Sequence, residues 1–443
     1  MLKILGLDIG TTTISAVVTD AQTGKILESR TVKNNSAIDN TKMQDPEIII
    51  NTVLLVKKEL CEKHAPITAI GVTGQMHGIV YIDKDGNHAS PLYTWQDTSG
   101  NKSYKDGTYA SYLTATTGHT MASGFGLVTH FVNIQENNVP ENAVTLCTIH
   151  DYLVMKLTGR KTPFMHTSDA ASFGCFSLEN ADFDTDALAK IGIDRSFLPK
   201  VCNNCTLAGK DANGIPVTVA IGDNQASVIG SVSDESSILV NRGTGSQVSV
   251  VTDKCAATTD CEIRPLNNDK FIFVGAPLCG GRSFALLHKF FCECVEIFGG
   301  NKDDVYKNMD KIAEIYPDDH TISVDTRFCG TRKNPDIKGS VSGITENNFS
   351  PAALTKGFLY GMANELYLLY KDFNNKGAML VSSGNAVRKS AVLRHYLEDL
   401  FGMKIFVPAH TEEASFGAAI FASVAVGIYP STFDAAKTMI HYE

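Results

Sequence analysis

The sequence predicts an α/β fold built from two similar domains, on three observations. The chain has 443 residues, which is more than one hydrophobic core usually serves. Residues 3–20 read as an apolar strand, a polar Gly-Thr turn and a second apolar strand. The same pattern returns at residues 236–251, and such self-similarity indicates a duplicated domain. We therefore expect a division into residues 1–235 and 236–443.

The composition excludes several classes of function. Hydrophobic residues make up 43% of the chain and charged residues 20%, which is typical of a globular enzyme. The formal net charge of −9 argues against nucleic acid or an anionic membrane as the main partner. The 11 cysteines show no convincing metal-binding spacing, so reduced thiols are the favoured interpretation. We expect neither a signal peptide nor an apolar run long enough to cross a membrane, and therefore predict a cytoplasmic protein. We further predict a monomer or homodimer.

The turn in the first strand pair is a candidate phosphate site. Asp8 closes the first strand, Gly10 lets the backbone turn, and Thr11, Thr12 and Thr13 follow at once. Backbone N–H groups and hydroxyls in such a turn can bind an anion, and a neighbouring carboxylate can hold a hydrated cation. An ordinary hairpin with exposed threonines explains these residues equally well.

The second copy strengthens the phosphate interpretation. Gly243 and Thr244 take the places of Gly10 and Thr11, whereas Asn241 replaces Asp8, so that only the first copy carries the acid. Two similar turns that face each other could hold a polyphosphate, with the first turn supplying the metal-side charge. Around the first copy, the β-β-β-α order of residues 3–64 is typical of a ribonuclease H-like domain, in which ligands bind at strand ends.

Two segments of the first half predict a carbohydrate site. A buried strand runs into Gln75, Met76 and His77, where Gln and His can hydrogen-bond hydroxyls and Met can form an apolar wall. Trp95, the only tryptophan in the chain, stands two residues before Asp97, and an indole face beside an acid is a frequent carbohydrate platform. A satisfied loop histidine and a core tryptophan remain the alternatives.

Two further strand ends carry candidate residues. The strand at residues 215–221 leads into Asp223 and Asn224, where a carboxylate can accept a proton from a hydroxyl. An aspartate that caps the following helix is more common, and the residues alone favour that interpretation. Near the end of the chain, a strand leads into Gly384 and Asn385, where small residues would let an adenine ring lie against the backbone.

Taken together, these segments resemble the FGGY carbohydrate kinases over nearly the whole chain. The resemblance is carried by L-G-L-D-I-G-T-T at 5–12, G-Q-M-H-G at 74–78, W-Q-D at 95–97, D-Y-L-V-M-K-L-T-G at 151–159, G-D-N-Q-A-S at 222–227 and N-R-G-T-G at 241–245, with S-G-N and E-A-S-F-G-A-A near the end. It implies two actin-like ATPase domains with a nucleotide and sugar cleft between them, and ATP and Mg²⁺ as cofactors.

The resemblance also implies residue roles, and it displaces the cap interpretation of Asp223. Asp223 becomes the catalytic base, and Asp8 the acid that holds magnesium through water. The sugar would contact Met76, His77, Asp97 and Asn224, in addition to Gln75 and Trp95, which the residues themselves already indicate. The phosphates would bind at Thr11, Thr12, Thr13, Gly243 and Thr244, and the rest of the nucleotide at Gly384 and Asn385.

Within the family, G-Q-M-H-G is similar to the ketose kinases, and T-W-Q-D, G-F-G, A-A-S-F-G and G-D-N-Q-A-S are similar to sedoheptulokinases. The activity implied is transfer of the ATP γ-phosphoryl group to the terminal primary hydroxyl of a ketose, first of all sedoheptulose. Xylulokinase or another ketose or polyol kinase is the alternative, as is an actin-like nucleotide switch without sugar chemistry. The family commonly has L-G-T-S where residues 242–245 read R-G-T-G, so the role of Arg242 stays open.

Overall fold

The structure is a computed structural model that describes residues 1–38, 41–242, 246–254, 261–268, 270–315, 321–331, 334, 336–373 and 377–443. The strands, in chain order, are β1 Lys3–Ile9, β2 Thr13–Asp20, β3 Ile26–Lys33, β4 Met43–Gln44, β5 Ala69–Gly74, β6 Val80–Asp83, β7 Leu92–Tyr93, β8 Ser103–Tyr104, β9 Gly107–Thr108, β10 Ala143–Cys147, β11 Phe164–His166, β12 Phe176–Ser177, β13 Asp182–Phe183, β14 Lys200–Cys202, β15 Leu207–Lys210, β16 Pro216–Thr218, β17 Ile221–Gly222, β18 Ser237–Arg242, β19 Ser246–Thr252, β20 Glu262–Asn267, β21 Lys270–Gly275, β22 Ser323–Asp325, β23 Ser340–Ser342, β24 Met379–Ser383 and β25 Ile405–Phe406.

The α-helices are α1 Pro46–His64, α2 Tyr109–Thr117, α3 Gly126–Gln135, α4 Ile149–Thr158, α5 Thr167–Phe173, α6 Thr185–Lys190, α7 Asp223–Ser231, α8 Arg282–Ile297, α9 Val305–Ile315, α10 Pro351–Lys371, α11 Asn385–Lys389, α12 Ala391–Phe401, α13 Glu413–Ala425 and α14 Thr432–Met439. Short 3₁₀ turns lie at Ser99–Asn101 and Arg195–Phe197. None of the helices within the described ranges is both long and apolar enough to cross a membrane.

The chain forms two compact units, each with its own mixed sheet. The first comprises residues 1–234, 264–271 and 412–441, and the second comprises residues 235–263, 272–411 and 442–443. Two later stretches of chain, which include α13 and α14, thus belong to the first unit. The division between residues 235 and 236 remains a prediction.

The sheet of the first unit has the strand order β15-β16-β5-β1-β2-β3, with β17 also paired to β5. Strand β1 lies at its centre, antiparallel to β2 and parallel to β5, and buries Ile4, Leu5 and Leu7. Asp45 caps α1 and Pro46 is its first residue, a position where the missing N–H is not needed. The three strands and the helix follow one another as expected, except that the two-residue strand β4, which pairs with β7, lies between β3 and α1.

The second unit repeats this arrangement in strands β19, β18, β24 and β25, which are paired in that order. Strand β18 is antiparallel to β19 and parallel to β24, as β1 is to β2 and β5. Ile238, Val240 and Leu380 form part of the buried core of this unit. The prediction of a duplicated α/β fold is confirmed.

Helix α13 packs unusually close to α7 in the first unit. A Cβ atom on Gly417 would overlap the carbonyl of Ala226, and one on Gly230 would overlap the carbonyl of Glu413. The two helix backbones therefore touch where each carries a glycine. This contact fixes the helix that begins at Asp223.

We predict that Gly417→Ala destabilises the protein, although alanine is the better helix former by about 1 kcal/mol. Overpacking at this crossing should outweigh the propensity and lower the free energy of unfolding by about 1–3 kcal/mol. Urea unfolding measures the change, with Ala414→Gly in the same helix as the control for propensity alone. A Gly417→Ala variant as stable as the original chain would contradict the close packing.

Candidate functional site

Three strand ends meet in the first unit. Ile9 at the end of β1 pairs with Gly74 at the end of β5, and Gly74 also pairs with Gly222 at the end of β17. The carboxyl ends of parallel strands share one sheet edge, where ligands commonly bind in α/β proteins. A Cβ atom on Gly222 would lie 2.7 Å from Sδ of Met76, so the thioether packs directly on this strand end. The segments that carry Asp8, Met76 and Asp223 are therefore neighbours.

Asp223 is the first residue of α7, and Gly222 occupies the N-cap position. The interpretation of Asp223 as a helix cap is therefore wrong. Burial raises the pKa of Asp223 to about 6, although the positive charge of His150 and the Asn224 amide both act to lower it. This carboxyl group can exchange a proton near neutral pH.

Helix α5 holds the strand end that precedes Asp223. The Gly222 amide donates to Oγ of Ser168 at 3.0 Å, and the Thr73 hydroxyl donates to the Ile221 carbonyl at 2.7 Å. At the other end of α5, the His77 amide donates to Oγ of Ser172 at 3.1 Å. One helix therefore fixes both the proposed base and the predicted sugar-binding histidine.

His77 has a constrained backbone and ring. Its φ of 71° lies in the left-handed region, which a non-glycine residue seldom adopts outside sites where the surroundings enforce it. Nδ1 lies 2.7 Å from the Ser172 carbonyl oxygen, which can only accept, so that Nδ1 carries the proton. The ring stacks on Phe125 with centroids 4.8 Å apart. The imidazole is thereby held in one orientation and one tautomer.

A buried ion pair lies behind the strand ends. His150 Nε2 is 3.0 Å from Asp169 Oδ1, and both side chains are 0% exposed. The ring fits because Gly74 has no side chain, since a Cβ there would be 2.9 Å from His150 Nδ1. Burial lowers the pKa of His150, but Asp169, Asp151 and Asp223 outweigh it and raise the pKa to about 9. The imidazole is therefore a cation at neutral pH.

Asp8 carries negative charge that its surroundings do not balance. Its Oδ1 atom is buried and has no hydrogen-bond partner. Burial raises the pKa of Asp8 to about 7, the charges of Asp223 and Glu412 raise it further, and His150 opposes them. An unpartnered carboxylate oxygen beside other acids fits a hydrated divalent cation. Among the described residues, no group of three or more His, Cys, Asp or Glu side chains is placed to hold a metal ion.

The predicted phosphate turn is bonded to the predicted sugar segments. The Trp95 indole N–H donates to the Thr11 hydroxyl at 2.9 Å, and that hydroxyl donates to Oε1 of Gln75 at 3.0 Å. Gln75 is 2% exposed, and its Nε2 donates to Gln44. Gln75 thus lies beneath the site surface, whereas Thr12 and Thr13 are exposed on the turn.

The remaining predicted sugar residues are held by neighbours. Asp97 accepts hydrogen bonds from the Ser99 hydroxyl at 2.5 Å and the Thr129 hydroxyl at 2.7 Å. Asn224 accepts one from Nη1 of Arg264 at 3.1 Å. Both side chains remain partly exposed, so they can still meet a ligand.

The predicted nucleotide residues belong to the second unit. Gly384 follows β24 with a φ of 92°, which glycine adopts without strain. Gly243, Thr244 and the side chain of Asn385 lie outside the described residues. Their roles stay predictions.

The charged residues that surround Asp8 and Asp223 were not predicted from the sequence. These residues are His150, Asp169, Arg264 and Glu412. The available signal was a polar pair, His150 and Asp151, at the start of an otherwise apolar helix. No local pattern links that pair to Asp169, because the contact is made between two helices.

Comparison with known proteins gives matches over both halves of the chain. Residues 3–235 match the N-terminal domain model of the FGGY family of carbohydrate kinases, and residues 239–426 match its C-terminal domain model. Sedoheptulokinase of Mus musculus is 26% identical, covering 94% of this chain and 96% of that protein. Xylulose kinase of Staphylococcus xylosus is 25% identical, covering 96% of this chain and 91% of that protein.

Solved structures share the fold. Ligand-bound xylulose kinase from Lactobacillus acidophilus matches with a TM-score of 0.85 at 18% identity, covering 100% of this chain and 93% of that chain. Plasmodium falciparum glycerol kinase with ADP matches with a TM-score of 0.84 at 21% identity, covering 100% of this chain and 93% of that chain. At these identities the likeness concerns the fold alone.

We predict that Asp8→Asn stabilises the protein at pH 8 and changes little near pH 4. An unfolded aspartate ionises near pH 4, whereas burial raises the pKa of Asp8 to about 7. Its charge therefore lowers stability progressively between these values and fully above pH 7, by on the order of 4 kcal/mol. Thermal unfolding in the presence of EDTA measures the gain.

Asp106→Asn replaces an exposed aspartate and serves as the matched control. Its stability should follow that of the original chain at every pH. Equal stability of Asp8→Asn and the original chain at pH 8 would show that Asp8 carries no electrostatic strain.

Proposed function

The chain belongs to the FGGY family of carbohydrate kinases, and we propose that it phosphorylates the terminal primary hydroxyl of a ketose. It is an ATP-dependent sugar kinase by family membership. The first candidate substrate is sedoheptulose, which would give sedoheptulose 7-phosphate. The observation that carries the proposal is the packing of Met76 on Gly222, which brings the predicted sugar segment next to Asp223.

In the proposed reaction, Asp223 acts as the general base. Its carboxylate accepts the proton of the sugar hydroxyl while the hydroxyl oxygen attacks the γ-phosphorus of ATP. The new O–P bond forms as the bond to the β,γ-bridging oxygen breaks, and ADP leaves with that electron pair. Positioning and charge stabilisation then account for most of the rate, because phosphoryl transfer needs little covalent help from the protein.

The charges around Asp223 suit this role. A pKa of about 6 leaves the carboxylate ionised above neutral pH yet basic enough to take up a proton. His150 and Arg264 both lower that pKa, whereas Asp169 raises it. A base placed in this way binds a proton during the reaction and releases it to water afterwards.

The sugar would lie over Met76, between His77 and the exposed face of Trp95. His77 is held by Ser172 and Phe125, so its ring is oriented before a sugar binds. Asp97 and Asn224 are partly exposed and supply further oxygen and amide groups. The substrate contacts of these residues are part of the proposal.

We assign the phosphates of ATP to the turn at residues 10–13 and to Gly243 and Thr244, and the adenosine to Gly384 and Asn385. Asp8 would hold Mg²⁺ through water, consistent with its unpartnered buried oxygen. When bound, Mg²⁺ neutralises charge on the phosphate oxygens. Once ionised, Asp8 would contribute the negative charge that holds the hydrated ion at this strand end.

Substrate choice within the family rests on weak differences. The sedoheptulokinase and xylulose kinase relatives are 26% and 25% identical to this chain. We place sedoheptulose first because four sequence segments are similar to sedoheptulokinases. A panel of ketoses and polyols, compared by kcat/KM, decides between sedoheptulose and five-carbon ketoses.

We propose a cytoplasmic location on the basis of the composition.

We predict that Asp223→Asn keeps ATP binding and loses sugar phosphorylation by about 100- to 10,000-fold in kcat. The amide has nearly the same shape but cannot accept the hydroxyl proton. Initial rates of ADP release with sedoheptulose measure the loss. Asp211→Asn, whose side chain bonds Lys57 in the same unit, is the control for a lost carboxylate. Turnover near the original rate in Asp223→Asn would refute the role of the base.

We also predict an acid limb in the pH profile. Because the base must be ionised and burial raises the pKa of Asp223 to about 6, kcat/KM should fall as the pH drops below about 6. His150→Gln removes a positive charge that lowers this pKa, so the limb should move to higher pH. His150→Lys restores a positive charge and should move it back. An unchanged limb in His150→Gln would contradict the electrostatic link.

A further inference from the structure

Four side chains join the two halves of the proposed site. Thr11, Gln75 and Gln44 form a closed hydrogen-bond ring to which Trp95 is bonded through Thr11, and we call these four residues the Thr11 network. Trp95 donates to the Thr11 hydroxyl at 2.9 Å, that hydroxyl donates to Gln75 at 3.0 Å, Gln75 donates to Gln44 at 2.8 Å, and Gln44 donates to the Thr11 carbonyl at 2.8 Å. We infer that this network couples sugar binding to phosphate binding, with Thr11 as a positioning residue.

Both the side chain and the backbone of Thr11 form hydrogen bonds within the network. Its hydroxyl proton is used by Gln75, and its hydroxyl oxygen accepts from Trp95. A hydroxyl has one proton to donate, so Thr11 cannot also donate to a phosphate without leaving Gln75. The hydroxyl of Thr11 is therefore a structural link in this arrangement.

The turn that Thr11 begins still offers backbone donors. The Gly10 amide donates to the Thr13 carbonyl at 2.9 Å and closes the turn. Within the described part of the chain, no hydrogen bond uses the amide N–H groups of Thr11 and Thr12. Successive amide groups of this kind form an anion-binding concavity. Any movement of Thr11 redirects these donors.

Trp95 is the residue of the network that a sugar would contact. Trp95 is 48% exposed, although its indole nitrogen is bonded to Thr11. A sugar stacked on the exposed face would fix the indole plane and thereby fix Thr11. Sugar binding therefore orders the phosphate turn before chemistry.

Coupling of this kind is reciprocal. If sugar raises the affinity for the nucleotide by some factor, the nucleotide raises the affinity for sugar by the same factor. It would also limit ATP hydrolysis in the absence of sugar, since a sugar on the indole would hold Trp95, and through it Thr11, more firmly. The inference rests on the proposed sugar and ATP sites.

The test uses the single tryptophan of the chain, Trp95, as its own fluorescent probe. The Kd of sedoheptulose is measured by fluorescence with and without the magnesium complex of the non-hydrolysable analogue AMPPNP. We expect the analogue to tighten sugar binding by about fivefold or more in the original chain, within the usual range for coupled sites. Thr11→Ser should keep that factor within about twofold, and Thr11→Val should bring it close to one.

The outcomes separate the inference from the proposed function. If Thr11→Val keeps the original coupling factor, or if the original chain shows none, the inference is overturned. If the original chain neither binds nor phosphorylates any ketose, the proposed function fails instead. Should Thr11→Val not fold, Gln44→Met removes the bond to the Thr11 carbonyl while keeping Thr11 and Trp95. It should lower the coupling factor, and an unchanged factor would count equally against the network.

Discussion

The hydrogen bond from the Gly222 amide to the Ser168 hydroxyl and the pairing of Gly222 with Gly74 determine where Asp223 lies. Both constraints act on the residue that precedes the base, so the carboxylate is fixed through the backbone. The same helix that supplies Ser168 also supplies Ser172, which holds His77. The distance between the proposed base and the predicted sugar-binding residue is therefore set by one short helix.

The buried carboxyl groups at these strand ends lower the stability of the protein, which is expected at a functional site. Asp8, Asp151 and Asp223 all have raised pKa values, in each case chiefly because of burial. His150 opposes each of these shifts, and its contact with Asp169 keeps it protonated. Removal of buried charges from water is costly unless a partner compensates, so a cluster with excess negative charge is expected to persist where a cation or a phosphate complex completes it.

The sequence predicted the parts of the site that depend on local pattern. Alternation of apolar residues and turn glycines gave the strand pair at Asp8, and its second copy gave the duplicated fold. The sugar contact of Gln75 stays a prediction, and its bonds to Thr11 and Gln44 could not be read from the sequence. A sequence shows that a residue follows a strand, whereas the face it presents depends on partners far along the chain.

Long-range contacts account for the rest of what could not be predicted. His150 and Asp169 stand on different helices, and only the fold brings them together. Glu412 and Arg264 come from segments that return to the first unit late in the chain. Their influence on Asp8 and Asp223 depends on the packing of α13 and on the path of β20.

A crystal structure with sedoheptulose bound tests the central claim most directly, because the claim is one of position. The account predicts that the terminal hydroxyl lies within about 3.2 Å of an Asp223 carboxylate oxygen, with the sugar over Met76. A sugar bound with no hydroxyl near Asp223, or in a cavity that Met76 does not line, would contradict it.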